Sequence, residues 1–342
     1  MIACLVCGHS AFRTLLTATD RLYGTTKREF QIVACEGCGL MRLAPLPLPE
    51  DLPRYYPAHY WYAPDSSLAA GLEERYRRLV LRDHVRFVSR ALAECGESGP
   101  VLDVGCGGGL FPHLLRERGF AAIGLDSSPE AAAVAWHTNG VPVLCGDLAQ
   151  APLGAAACAG ITMFHVLEHV YDPRAYLAAA RVLLKPKGRL IVQVPNAACW
   201  QFRLLGSRWN GVDAPRHLTD FRARDLEALL AAAGFQVLRR KYFSLRDNPA
   251  GLATSLAPTL DPMARRVRGL PETPGARLLK DLAHFSLLAA ALPFTLLEAA
   301  CHAGSTIMIE ARKAPLHKAA RKAPLHKAAR KAPLHKAARK AP

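Results

Sequence analysis

Two runs constrain the fold of this chain more than any other feature, VLDVGCGGGLF at residues 101–111 and IGLD at residues 123–126. An apolar strand that ends in a glycine turn, then a helix, then a second strand that closes on a carboxylate, is typical of an open α/β sheet. In such sheets the glycine turn and the acid meet at the carboxyl ends of neighbouring strands. We therefore expect a site for an adenosyl ligand there.

The spacing of the glycines indicates what kind of adenosyl ligand it is. A dinucleotide fingerprint needs a glycine at its sixth position, because the pyrophosphate approaches the backbone there. Gly105 and Gly107 fit this pattern, but the sixth position is Leu110, and the run ends instead at Gly109. A GxGxG loop suits a ligand without phosphates, whose amino-acid end packs against backbone that carries no Cβ.

Two acids complete the predicted site. Asp126 ends the second strand, where its carboxylate is placed to accept hydrogen bonds from both hydroxyls of a ribose. The segment VPVLCGDLA at residues 141–149 reads as a third strand that ends at Asp147, which is placed to accept from an adenine amino group.

Residues 99–311 resemble the class I S-adenosylmethionine (SAM) dependent methyltransferases, through the glycine run, the acids, ITMFHVLEHVYDP and RVLLKPKGRLIVQVPN. The resemblance implies an α/β fold with a Rossmann-like sheet of seven strands, of which STIMIEARK is the last and antiparallel. It implies SAM as the co-substrate. The residues expected at the SAM site are Asp103, Gly105, Cys106, Gly107, Gly109, Asp126, Ser127, Asp147, Leu148 and His165.

Four cysteines in two CxxC pairs, each followed by glycine, lie near the N-terminus. They are Cys4, Cys7, Cys35 and Cys38. Two such turns present four thiolates to one structural zinc ion, which leaves no open position for substrate. Disulfides are the alternative, but no signal peptide precedes the first pair and cytosolic thiols stay reduced. We therefore predict a zinc ribbon over residues 1–45, with a hairpin between the two pairs.

The remaining segments complete the predicted domain organisation. Residues 46–98 form a linker, with aromatic residues that either cover the ligand cleft as a lid or attach the ribbon to the sheet, and then an amphipathic helix over 68–94. The aromatic residues are Tyr55, Tyr56, Tyr60 and Trp61. Residues 251–303 form an apolar helical insertion within the methyltransferase domain, which is a cap, a dimer face or a shallow membrane contact.

The net charge of +16 is concentrated at the C-terminus. Residues 312–342 repeat KAPLHKAAR and hold eleven Lys or Arg and no acid, so the preceding residues carry only +5. A tail with one bulky aliphatic residue per repeat buries too little surface to order, and we expect it to be disordered. We therefore expect no specific nucleic-acid partner. The alternative from another class is a nucleic-acid-binding module that uses the ribbon and the tail.

Methyl transfer needs an aligned nucleophile and a group that removes its proton. His217, in the loop after the fifth strand of the sheet, is the candidate base, and a buried histidine bonded to a carbonyl is the alternative. Arg216 either holds an anionic group of the acceptor or pairs with Asp213 or Asp220.

A second histidine-rich segment, HVLEH at residues 165–169, follows the fourth strand. We interpret His165 as lining the SAM pocket and Glu168 with His169 as scaffold, not as a metal motif.

The resemblance extends to bacterial enzymes of sugar and surface-glycan biosynthesis, through the ribbon pattern and the PRHL segment. It implies O- or C-methylation of a sugar or glycan precursor as the function. The alternative acceptor is a phenolic, quinone-like or other lipophilic molecule. We expect a cytoplasmic protein, either free or peripheral to the inner membrane.

Overall fold

The computed structural model describes residues 3–56 and 68–315, without the side chains of residues 68–70 and 72. Tyr60, Trp61 and the repeats from residue 316 onward, and with them the predicted disorder of the tail, lie outside this range. The strands are β1 (Phe12–Ala18), β2 (Phe30–Cys35), β3 (Met41–Ala44), β4 (Val101–Val104), β5 (Ala122–Asp126), β6 (Val143–Cys145), β7 (Cys158–Phe164), β8 (Leu184–Pro195), β9 (Thr219–Asp220), β10 (Phe235–Lys241) and β11 (Thr306–Lys313).

Helices connect the strands and cover the larger sheet. They are α1 (Leu68–Cys95), α2 (Leu110–Arg116), α3 (Pro129–Asn139), α4 (Pro173–Leu183), α5 (Trp200–Leu205), α6 (Ala223–Ala232), α7 (Asn248–Leu256), α8 (Pro262–Val267) and α9 (Pro274–Ala300). Local sequence sets several of their ends. Helix α3 begins after Ser128, whose hydroxyl accepts from Ala131 N, and ends at Gly140 with φ +60°.

The larger sheet has seven strands in the order β10-β11-β8-β7-β4-β5-β6. Strands β4 to β8 run parallel, and β11 lies antiparallel between β8 and β10. The predicted Rossmann-like sheet with an antiparallel last strand is therefore confirmed. Strand β11 extends to Lys313, so the first two residues of the predicted tail belong to the sheet.

The position of β4 creates the ligand cleft. Strand β4 pairs with β5 on one side and with β7 on the other, so the chain changes direction across the sheet between these two neighbours. Ligands of open α/β sheets bind outside the carboxyl ends of the strands at this switch point. Leu102 and Ile161 are fully buried in the two strands, because helices cover both faces of the sheet.

Helix α1 covers one face of the sheet with Val85, Val88 and Leu92, which are buried with residues of α2 and β4. The sequence predicts a helix over nearly the same residues. Val80 of this helix is buried, whereas the adjacent Leu79 is 48% exposed.

The N-terminal residues form a second sheet, in the order β1-β2-β3-β9. Strands β1 and β2 make the predicted hairpin. The last strand comes from the methyltransferase part of the chain, since Met41 of β3 pairs with Asp220 and Arg42 with Thr219. The ribbon is therefore completed by a segment that lies almost 180 residues later.

Three helices, α7, α8 and α9, fill the predicted insertion between β10 and β11. Helix α9 is held to the rest of the protein by buried Glu298, whose carboxylate accepts from the side-chain amide of Gln201 at 2.8 Å. Among the described residues, α9 is the one helix long and apolar enough to cross a membrane, and 22% of its most apolar window is buried. Its exposed large apolar residues are Leu278, Leu279, Leu282, Phe285, Leu296 and Leu297.

Candidate active site

The glycine loop after β4 has the open backbone that the sequence predicts. Gly105, Gly107 and Gly109 have φ angles of +69°, +52° and +78°, which side chains rarely adopt. A Cβ on Gly105 would lie 2.7 Å from Cγ2 of Val166. A Cβ on Gly109 would lie 2.7 Å from Cβ of Ala135, so this glycine allows α2 and α3 to pack closely. The loop therefore offers bare main chain beside the cleft.

Asp103, at the end of β4, is buried, and its Oδ1 accepts a hydrogen bond of 2.6 Å from the hydroxyl of Thr162. Burial and the nearby Asp126 carboxylate raise the pKa of Asp103 to about 7. Thr162 comes from the neighbouring strand β7, and no local sequence signal marks it as part of the site. Its side chain fixes the orientation of the acid that begins the glycine loop.

Asp126 ends β5 beside this loop. Its Oδ2 accepts from Gly107 N at 2.8 Å and its Oδ1 from Ser128 N at 2.9 Å. Burial raises the pKa of Asp126. Ser127 is exposed beside it. These two hydrogen bonds from backbone amides orient the carboxylate along the rim of the cleft, where we expect the ribose.

Asp147 follows β6, and Leu148 beside it is buried. The carboxylate accepts from Ala149 N at 2.8 Å and from the Tyr176 hydroxyl at 2.6 Å. Burial and the Asp147 carboxylate raise the pKa of Tyr176, so this phenol stays a donor. Tyr176 lies on α4 and was not expected at the site.

Cys106 fills the space between the glycine loop and β5. A Cβ on Gly124 would lie 2.5 Å from the Cys106 sulfur, so the small residue on β5 makes room for the thiol. Burial, followed by the charges of Asp103 and Asp126, raises the pKa of this thiol. Cys106 is therefore a neutral packing residue of the loop.

His165 follows β7 with φ +56°, a strained conformation for a non-glycine residue. Its Nδ1 lies 3.0 Å from Glu168 Oε1, and its Nε2 lies 2.9 Å from the Gln193 amide nitrogen and 3.5 Å from Asp247 Oδ1. Burial lowers the pKa of His165, but the carboxylates of Asp247 and Glu168 outweigh it and raise the pKa to about 9. Gln193 and Asp247 were missed, because they come from β8 and the start of α7.

The structure thus brings the predicted SAM residues together at the carboxyl ends of β4 to β7. The residues present fit SAM, because the loop is glycine backbone with positive φ angles and a carboxylate lies at the end of each of three adjacent strands. A donor without phosphates needs no basic residue at this loop.

His217 lies apart from the glycine loop, packed against the end of the HVLEH segment. It is 7% exposed, and its ring centroid is 4.6 Å from that of His169. Its Nδ1 lies 2.8 Å from Gly211 O, as the alternative of a satisfied buried histidine expects. No hydrogen bond involves its Nε2 within residues 3–56 and 68–315. Tyr56, from the predicted lid segment, reaches His169 Nδ1 with its hydroxyl at 3.0 Å.

Arg216 is fully buried, and two carboxylates occupy its guanidinium. Nη2 donates to Asp20 Oδ1 at 2.7 Å and to Asp213 Oδ1 at 2.6 Å, and the plane stacks on the ring of Tyr23. These bonds favour the pairing that the sequence leaves open over the role in holding an acceptor anion, which stays a prediction. Of the pairings that the sequence leaves open, the one with Asp213 is present and the one with Asp220 is not.

The sulfur atoms of the four ribbon cysteines all lie within 4.8 Å of one another. The pairs Cys4–Cys38 and Cys7–Cys35 are each 3.5 Å apart. Sulfurs around one zinc ion lie about 3.8 Å apart, so this set fits a zinc ribbon. The two turns are alike, since the glycine after each second cysteine has φ +76°.

The environment of Cys35 favours the thiolate form of this residue. Burial raises the pKa of Cys35, but the backbone N–H of Cys38, the Cys7 thiol and the Gly37 N–H outweigh burial and lower it to about 6. Thiolates are the form that binds metal.

Comparison with known proteins agrees with this geometry. A family model described as "Methyltransferase domain" matches residues 72–240, from within α1 to β10. A protein named ubiquinone biosynthesis O-methyltransferase from Cereibacter sphaeroides is 32% identical over 168 residues, 46% of this chain and 67% of the relative. The protein of the same name from Xanthomonas axonopodis pv. citri is 34% identical over 45% of this chain and 68% of the relative.

A probable SAM-dependent methyltransferase from Mycolicibacterium smegmatis is 28% identical over 51% of this chain and 69% of the relative. The residues that the family model matches include the glycine loop, the acids of the cleft and the HVLEH segment. The chain therefore belongs to the SAM-dependent methyltransferases.

Proposed function

We propose that this enzyme transfers the methyl group of SAM to a hydroxyl oxygen of a lipophilic phenolic or quinone-like acceptor. The observation that carries the proposal is the similarity to proteins named ubiquinone biosynthesis O-methyltransferase, at 32% and 34% identity. These relatives favour the alternative acceptor that the sequence leaves open. The sugar or glycan acceptor expected from the resemblance has no support among them.

The cleft residues divide the work of binding the donor. Asp126 accepts from the ribose hydroxyls, Asp147 and Leu148 frame the adenine, and the backbone of Gly105 and Gly107 packs against the methionine end. Asp103 and His165 lie near the ends of the neighbouring strands β4 and β7, and we propose that both line the pocket for that end. This placement holds the methyl carbon fixed for in-line attack, and such positioning supplies much of the rate.

The acceptor oxygen loses its proton as the new bond to carbon forms, and we propose His217 as the base. Because Nδ1 of its ring is bonded to Gly211 O, the tautomer with a proton on Nδ1 leaves the Nε2 lone pair to accept. The ring lies beside the HVLEH segment, and Val166 of that segment contacts the glycine loop. The base and the donor site are therefore joined by one short stretch of chain.

We propose that the protein is cytoplasmic and that α9 rests on the inner membrane when a lipophilic acceptor is taken up. The exposed leucines of α9 support this proposal, because large apolar residues gathered on one helix mark interaction surfaces. Flotation of the purified protein with liposomes tests it. Replacement of Leu278, Leu279 and Leu282 by Ser is expected to abolish flotation, and equal flotation of this variant contradicts the proposal.

We also propose that the four-cysteine cluster holds one structural zinc ion, which orders the ribbon and takes no part in the reaction. Four thiolates saturate a tetrahedral ion and leave no site for water or acceptor. The ribbon in turn supports the segment that carries His217, because β9 begins two residues later and pairs with β3.

Incubation with methyl-labelled SAM tests the proposed acceptor. The panel contains polyprenylated catechols and phenols, membrane lipid extracts and nucleotide sugars, with mass detection of a methyl increment. We expect an increment on a phenolic lipid, and a loss of turnover of about 10²-fold or more in His217→Ala. An increment confined to nucleotide sugars overturns the proposal.

A further inference from the structure

A second group of metal-binding side chains lies outside the ribbon. One ligand atom from each of Glu168, His169 and His217 lies within 4.8 Å of the other two. Donors about 2.1 Å from one ion are separated by about 3–4 Å, so small rotations close this set around a cation. The backbone holds the two segments together, since Leu218 N and Thr219 N both donate to Glu168 O, at 2.7 and 3.2 Å.

The two histidines have the environment of metal ligands. Nδ1 of His217 lies 2.8 Å from Gly211 O, and Nδ1 of His169 lies 3.1 Å from Arg216 O and 3.0 Å from the Tyr56 hydroxyl. Histidines that bind a metal through one nitrogen almost always donate from the other to a carbonyl, a carboxylate or water. Nε2 of each ring accepts no hydrogen bond from residues 3–56 or 68–315.

The carboxylate of Glu168 supplies the observation that points to a ligand. This residue is 1% exposed; its Oε1 bonds to His165, but its Oε2 has no partner among the described residues. Nearby Asp220 is also buried, and neither of its carboxylate oxygens has a partner there. A buried carboxylate oxygen without a partner is costly, and a bound cation removes that cost.

We propose that Glu168, His169 and His217 bind one divalent transition-metal ion, of the zinc or cobalt class. Two imidazoles and one carboxylate are a typical ligand set for such ions, whereas Mg²⁺ and Ca²⁺ prefer oxygen donors. Three protein ligands leave at least one position open. This site thus differs from the ribbon, whose four thiolates close the coordination sphere.

The open position suits the acceptor of the proposed function, on which this part of the inference rests. A phenolic oxygen bound to the ion ionises more readily, because the metal lowers the pKa of a bound hydroxyl. The O–H bond breaks and the proton passes to solvent water. The oxygen then bonds to the methyl carbon, and the carbon–sulfur bond breaks to leave S-adenosylhomocysteine (SAH). His217 is a ligand while the ion is bound, and its Nε2 acts as the base of the proposed function only in the metal-free form.

Metal content of the full chain tests the site directly. Purified protein is dialysed against Zn²⁺ and analysed for bound metal. We expect two ions per chain in the wild type, and one in Glu168→Gln and in His217→Gln, with affinity for the second ion lowered at least about tenfold. Glu168→Gln keeps an oxygen for His165 and removes only the charge. The matched control is His137→Ala, an exposed histidine of α3, which is expected to keep two ions.

Cobalt distinguishes the two sites by spectroscopy. Co²⁺ in the ribbon gives intense thiolate-to-metal absorption, while Co²⁺ bound by Glu168 and the histidines gives only weak visible bands. Both variants are expected to lose the weak bands alone. Heat of SAH binding shows that each variant is folded, and Glu168→Gln suffices if His217→Gln does not fold.

The inference is wrong if the wild-type protein binds one ion per chain and its cobalt form shows only the thiolate absorption. It is equally wrong if both variants still bind two ions per chain. The proposed function fails independently, if no phenolic lipid is methylated whatever the metal content. A single bound ion together with methylation that depends on His217 leaves that residue as the base.

Discussion

Arg216 and Asp20 form a fully buried ion pair between the methyltransferase domain and the ribbon. Nη2 of Arg216 lies 2.7 Å from Oδ1 of Asp20 and Nη1 lies 3.2 Å from Oδ2, although 196 residues separate them in the chain. Asp213 neutralises the second side of the guanidinium. The pair also fixes the residue before His217, so the ribbon contacts the candidate active site here as well as through the pairing of β3 with β9.

Replacement of Arg216 by Met is expected to destabilise the protein by about 3–5 kcal/mol, because two carboxylates are left buried without a cation. Chemical denaturation measures the free energy of unfolding. The matched control is Arg240→Met, which breaks an ion pair with Glu227 at the surface and is expected to cost under about 1 kcal/mol. Equal losses in the two variants would contradict the assigned role of Arg216.

Asp103→Asn is expected to change the pH dependence of stability. The pKa of Asp103 is raised to about 7 in the folded protein, against about 3.9 in the unfolded chain. Folding therefore favours the protonated acid, and the stability that it contributes below pH 4 is lost as the pH rises through 7.

From pH 5 to pH 8, the free energy of unfolding of Asp103→Asn should therefore rise by about 1–3 kcal/mol relative to that of the wild type. SAM affinity of the variant is expected to fall at least about tenfold, since the loop loses its acid. Denaturation curves at several pH values measure the first effect. A difference that is constant with pH contradicts the raised pKa.

Gly105→Ala is expected to disrupt the donor site by displacing the loop, because the new methyl group would lie 2.7 Å from Val166. Gly119→Ala is the control, since Gly119 also has a positive φ, +85°, but a Cβ there meets nothing within 4 Å. Both variants pay about 1–2 kcal/mol of backbone strain. Only Gly105→Ala is expected to weaken SAM binding at least about tenfold, and Val166→Ala should partly restore it. Calorimetry measures the SAM affinity of each variant, and equal affinities of Gly105→Ala and Gly119→Ala contradict the role of Gly105 at the donor site.

Removal of zinc from the ribbon is expected to lower the melting temperature by about 5–10 °C, which corresponds to ~2–3 kcal/mol for a chain of this size. A strong chelator, or Cys4→Ser with Cys35→Ser, should have the same effect. Cys145→Ser, at an exposed cysteine, is the control. Metal analysis shows whether the chelator has removed the ribbon ion. An unchanged melting temperature after that ion is removed contradicts its structural role.

Much of the sheet could be predicted from sequence because its signals are local. The glycine run, Asp126 and Asp147 each lie at the end of a short apolar strand, and the family pattern fixes the strand order. The two CxxC pairs carry their own turn glycines. These features need no knowledge of which distant segments meet.

What escaped prediction depends on contacts across the chain. Thr162 meets Asp103 from 59 residues away and Tyr176 meets Asp147 from 29. Nothing near Arg216 in the sequence marks Asp20 as its partner. The contact of His217 with the HVLEH segment has no local signal for the same reason, since only the fold brings the two together.

The most direct test of the central claim is calorimetric titration of the folded wild-type protein and of Asp126→Ala with SAM and with SAH. The cleft described here predicts one donor site per chain in the wild type and affinity at least about 10²-fold weaker in the variant, which lacks the carboxylate for the ribose hydroxyls. No heat from the folded wild type, or equal affinity in the two proteins, contradicts the assignment of this cleft.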